Sequence, residues 1–133
     1  MPHPNCVRVT DKDMTENKNL PFVRRLSFAM QGLRISWKGE SSFRTHVIVA
    51  LMVIVVTAII RPAPIWWALL ALAISMVISA ELLNTAIERL ADHVHPQFDE
   101  EIKTVKDVAA AAVLIASFSA IAVATAFVAS LFL

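Results

Sequence analysis

Polar and apolar residues fall into long blocks along this chain. No Asp, Glu, Lys or Arg occurs in residues 45–60, 63–80 or 108–133. Each block predicts a membrane-spanning helix, because a backbone surrounded by lipid must satisfy its hydrogen bonds within its own segment. At 1.5 Å per residue the third block reaches about 39 Å, more than a hydrocarbon core of about 30 Å. The first two reach about 24 and 27 Å and need flanking residues to complete their spans. Arg61-Pro62-Ala63-Pro64 separates them. Proline lacks an N–H and fixes φ, so this segment predicts a tight turn and the two spans form a hairpin. Trp66 and Trp67, just past the turn, match the aromatic belt of a membrane interface.

Residues 21–38 follow a different pattern. At about 100° per residue, Phe22, Val23, Leu26, Ala29, Met30, Leu33 and Trp37 share an arc of about 120°. Arg24, Ser27, Gln31, Arg34 and Lys38 occupy a neighbouring polar arc, which predicts an interfacial amphipathic helix with its basic flank toward anionic head groups. Phe28 and Ile35 form a separate stripe. Residues 1–20 are polar, lack an apolar core of signal-peptide length, and read as a frayed tail.

Composition sharpens this picture. The 133 residues are 57% hydrophobic and 17% charged, against about 45–50% and 25% in soluble domains, so the chain is too apolar to cover itself with a water-compatible surface. Two Gly and six Pro exclude collagen-like and disordered classes. Cys6 is alone and closes no intramolecular disulfide. The fold class expected is all-α: an integral membrane protein with three transmembrane helices and an N-terminal interfacial helix. Eight Lys and Arg precede the first span, Arg61 alone lies in the hairpin turn, and Arg89, Lys103 and Lys106 lie between the second and third spans. The positive-inside rule therefore expects the N-terminus and the 89–106 loop on the cytoplasmic side.

The candidate chemistry lies where the second span leaves the membrane. Glu81, Asn84, Glu88 and Asp92 fall within about 80° on one side of the helix. Glu81 sits about 27 Å from the hairpin turn, at the edge of the hydrocarbon, where an acid costs up to about 2.5–3.5 kcal/mol and is a functional site by default. It suits a general base acting on a lipid hydroxyl. Glu88, further into water, suits a hard cation, with Glu40 and Asp107 as the other acids near that depth. Asp107 also reads as an acid in the first turn of the third helix, and Lys106 as a positive-inside anchor or a phosphate-binding cation.

Together these are parts for moving a phosphoryl group onto a membrane lipid. With only Gly32 and Gly39 in the chain there is no glycine-rich phosphate loop. His93 and His95 read as exposed loop residues, and His46 has no assigned role. Ala109–Ala112, Ser117, Ser119 and Ala120 look like a helix-packing face. The competing reading is a non-catalytic three-span helper or transport subunit, in which Glu81, Asn84 and Glu88 form an interhelical hydrogen-bond seam.

The run AELLNTAIER at residues 80–89, followed by Lys106-Asp107 and the alanine run with Val113-Leu114, resembles the prokaryotic diacylglycerol kinase family, which includes undecaprenol kinases. Gly32-Leu33-Arg34, Trp37, Glu40 and Phe43-Arg44 match its N-terminal motif. The resemblance covers residues 21–133. It implies a homotrimeric bundle in the bacterial inner membrane, with active sites between protomers at the cytoplasmic interface. It implies ATP and Mg²⁺, a membrane lipid substrate, and no nucleic acid.

Carried over through the motifs, Glu81 is the base, and Glu40 and Glu88 hold the metal on ATP. The resemblance also implies that Lys106 and Asp107 contact ATP, Lys106 through the phosphates, with Phe28 near the nucleotide base. Arg34, Trp37, Phe43, Arg44, Glu81 and Asn84 meet the lipid. The substrate implied first is diacylglycerol. Thr45-His46 after Phe43-Arg44 looks closer to the undecaprenol-kinase side of the family.

Overall fold

The computed structural model describes residues 21–132, so the expected N-terminal tail lies outside the described residues, as does Leu133. The chain divides into two units after Ile35, within the first helix. That helix, α1, spans Phe22–Gly39. Pro21 opens it by accepting the N–H groups of Arg24 and Arg25 at its carbonyl. The expected apolar positions Phe22, Val23, Leu26 and Met30 are all exposed, as are its polar positions Arg24, Gln31 and Arg34.

The second unit holds three long helices: α2 (Ser41–Ile60), α3 (Pro64–Val94) and α4 (Glu100–Ser130). All three are long and apolar enough to cross a membrane, with mean hydropathy between 2.0 and 2.3 in their most apolar windows. Among the described residues there is no strand. Glu40 alone separates α1 from α2. Its extended backbone, φ −116° and ψ 117°, turns the chain without a loop.

The α2–α3 hairpin forms where the prolines place it. Arg61 ends α2 in the left-handed region, φ 52°, with its N–H on the Thr57 carbonyl at 2.9 Å. Thr57 is 1% exposed and donates its hydroxyl to the Val53 carbonyl. Pro64 then occupies the first turn of α3, where a missing N–H costs nothing.

α3 is the central helix and packs against α2 on one side and, more extensively, against α4 on the other. Lipid is as apolar as leucine, so close approach rather than hydrophobic driving force holds such helices together. Ala109 and Ala116, one heptad apart, are buried accordingly. Of the expected small-residue face, Ser119 instead points outward and bonds back to the Ile115 carbonyl. At the hairpin end, Trp66 packs on the buried Phe127 of α4, with ring centroids 5.4 Å apart and planes tilted by 52°. This aromatic therefore packs as well as marking the interface.

The last helix, α4, begins earlier than the charge pattern implied. Asp99 caps it, its Oδ1 accepting the N–H groups of Glu101 at 2.8 Å and Ile102 at 3.2 Å. Glu100 and Glu101 fill the first turn, where negative charge opposes the helix dipole favourably. Asp107 thus lies two turns inside α4 and is not its cap. The charged run 100–107 resembles loop in sequence, but the cap sets the boundary.

Replacing Asp99 by Ala should lower stability by about 1 kcal/mol by orphaning two N–H groups, and Asn should keep most of it. Thermal unfolding of the three proteins in one detergent checks this. Equal melting of Ala and parent would remove Asp99 from the boundary.

Candidate active site

Because α2 and α3 run antiparallel from the 61–64 turn, the start of α2 lies beside the stretch of α3 just past its midpoint. Glu81 is there, 2% exposed. The Ser42 hydroxyl donates to its Oε1 at 2.6 Å. His46 Nε2 lies 2.9 Å from the same oxygen. Ser42 and His46 are one helical turn apart and so present both groups from one face of α2. Thr85, one turn beyond Glu81, is also buried.

Further from the turn, Asn84 donates through Nδ2 to Glu88 Oε1 at 3.0 Å. Asn84 Oδ1 is buried and has no hydrogen-bond partner. Glu40 occupies the cap position of α2, yet its side chain does not cap; Oε1 lies 3.8 Å from Arg89 Nη2 on α3. Gly39 makes room for this guanidinium, because a Cβ there would collide with Arg89 Nη2. Lys106 of α4 donates to Asp92 of α3 at 2.6 Å, and Lys103 to Asp107 at 2.6 Å.

The expected stripe therefore faces more than one way. Glu81 is committed to α2 and Asp92 to α4, while Asn84 and Glu88 bond each other along the helix. Arg44 is exposed and Trp37 is 43% exposed. Phe43 is only 3% exposed, so it serves the interior of this unit rather than a lipid-accessible surface. In the first unit, Phe28 and Arg34 are both exposed.

Sequence reasoning missed Ser42 and Gly39 and left His46 without a partner. The available signal was the Ser42/His46 spacing of four at the mouth of the first span. His93 is exposed, and His95 Nε2 lies 4.0 Å from Asp99.

Three apolar helices with a buried carboxylate, further carboxylates and a lysine toward one side define a small helical membrane protein with its polar groups clustered. A family model described as prokaryotic diacylglycerol kinase matches residues 27–128. The chain is 35% identical over 94 residues to the diacylglycerol kinase of Helicobacter pylori (strain ATCC 700392 / 26695), covering 71% of this chain and 73% of that protein. It is 30% identical over 100 residues to that of Escherichia coli (strain K12), covering 75% and 82%. For the diacylglycerol kinase of Synechocystis sp. (strain ATCC 27184 / PCC 6803 / Kazusa), identity is 35% over 97 residues, covering 72% and 55%. The chain belongs to the prokaryotic diacylglycerol kinase family and is a membrane lipid kinase.

Proposed function

We propose that this kinase transfers the γ-phosphoryl group of MgATP to the hydroxyl of diacylglycerol, giving phosphatidic acid and ADP. The observation that carries this reading is the buried carboxylate of Glu81, held where the start of α2 meets the middle of α3. A lipid hydroxyl lies at that depth, and a positioned carboxylate there takes its proton as the oxygen–phosphorus bond forms and the bond to ADP breaks. The relatives' names favour diacylglycerol.

The donor set suits a hard cation carried on the nucleotide. Glu40, Glu88 and the unpartnered Asn84 Oδ1 offer only oxygen. Among the described residues no group of three His, Cys, Asp or Glu side chains is placed to hold a metal alone. Two carboxylates completed by phosphate oxygens and water is the arrangement Mg²⁺ prefers. When bound, Mg²⁺ supplies neutralisation of the phosphate charge.

Lys106, once released from Asp92, neutralises phosphate as well. That pair is exposed and screened by water, so a nucleotide displaces it easily. Asp107, Phe28 and the lipid-facing Arg34, Trp37 and Arg44 complete the assignment as contacts of nucleotide and lipid.

At most 17% of the most apolar window of any span is buried within one chain. Lipid covers much of that apolar surface, but the half-buried polar side chains of Asn84 and Glu88 call for shielding by neighbouring copies, which supports a homotrimer in the cytoplasmic membrane. The count of Lys and Arg supports an N-terminus on the cytoplasmic side.

Glu81→Gln keeps size but removes the proton acceptor, so phosphorylation should fall by about 10²-fold or more with ATP affinity retained. Assays of purified protein with labelled ATP against diacylglycerol and undecaprenol, in parallel, check both base and substrate. Turnover within a few-fold of the parent would remove Glu81 from the chemistry, and transfer to undecaprenol alone would replace the substrate.

Activity should also vanish on chelation by EDTA and return with Mg²⁺. Glu40→Gln and Glu88→Gln should raise the Mg²⁺ concentration needed for half-maximal rate, and unchanged metal dependence in both would refute their role. Crosslinking in native membranes should give trimers. A fully active monomer in dilute detergent would exclude a shared site.

A further inference from the structure

Glu81 is held through a single oxygen. Ser42 Oγ donates to Oε1 at 2.6 Å and His46 Nε2 stands 2.9 Å from that same atom; neither contact uses Oε2. An ionised carboxylate only accepts, so the histidine nitrogen facing it carries a proton. The tautomer that this requires leaves Nδ1 as the other ring nitrogen, free of the contact. His46 is partly exposed while Glu81 is 2% exposed, so the two α2 side chains lie between the carboxylate and the outside on this side. Ser42 and His46 are spaced by four residues on a continuous helix and therefore move as one body with α2.

We propose that Ser42 and His46 are positioning residues for the kinase: they pin Glu81 by Oε1 so that Oε2 faces the lipid hydroxyl. This rests on the reading of Glu81 as the base. The pinned oxygen keeps both donors throughout. The free oxygen receives the hydroxyl proton as that hydroxyl's oxygen bonds to phosphorus and ADP leaves. An unpinned carboxylate rotates about its last torsion, which is broad and roughly two-fold, and spends part of its time with the accepting oxygen misdirected. Neither residue touches the nucleotide in this scheme, so losing either should reduce turnover and leave ATP binding alone.

The test uses the intact protein in mixed micelles, with MgATP and diacylglycerol, and with undecaprenol in parallel. The variants are His46→Ala, His46→Gln, Ser42→Ala and Glu81→Gln. His46→Ala should lower kcat by about tenfold to a hundredfold, part of the 10²–10⁴-fold that a positioned base supplies, with KM for ATP unchanged. His46→Gln restores an N–H donor without a ring and should return kcat to within about threefold of the parent, which a loss of packing alone would not allow.

Glu81→Gln inactive with His46→Ala at parental kcat overturns the positioning role and leaves the base intact. Glu81→Gln fully active overturns the base reading and this proposal with it. Gln as poor as Ala at position 46 also overturns it, because a donor would then not be what matters. Should His46→Ala fail to fold, Ser42→Ala decides by the same split: reduced kcat at constant KM for ATP supports the pinning, and unchanged kcat overturns it.

Discussion

A carboxylate 2% exposed where the start of one apolar helix meets the middle of another has to be answered by donors, and the lipid offers none. Much of the arrangement depends on that requirement. The donors come from Ser42 and His46, so α2 must sit against α3 in the register that brings residues 42 and 46 to residue 81. Apolar packing alone would tolerate other registers, because a side chain loses little by exchanging another helix for lipid. The polar contact makes one register distinct.

From Glu81 outward, the contacts pass from buried to exposed. Asn84 and Glu88 follow along α3, then Arg89 reaches Glu40, and finally Asp92 meets Lys106 of α4. On the proposed assignment of Glu81 as base, this gradient matches the demands of phosphoryl transfer to a lipid. The base has to be rigid and dry, whereas groups that receive a large, highly charged nucleotide must exchange partners as it arrives. Exposed ion pairs suit such an exchange, since water screens them and competing charges replace them easily.

The two ends of the bundle are held by different physics. At the hairpin end, the left-handed Arg61, the prolines and the Trp66–Phe127 contact make a compact apolar closure. At the acidic end, charge and hydrogen bonds connect the helices. Gly39 belongs to this second set, since a side chain there would take the space of the Arg89 guanidinium.

The three spans, the interfacial helix and the hairpin were legible in residue order alone, because hydropathy, helical period and proline geometry are local properties. The AELLNTAIER motif carried the family for the same reason. The start of α4 was misplaced, since a single cap at Asp99 outweighs a run of charged residues that resembles loop. Phe43 matched a motif but proved to be interior. The partner of His46, 35 positions away at Glu81, and the role of Gly39 came only from tertiary structure. Side chains on separate helices meet according to register and rotation, which no local pattern encodes, so the sequence determined which groups were available and the packing of α2 on α3 decided which of them meet.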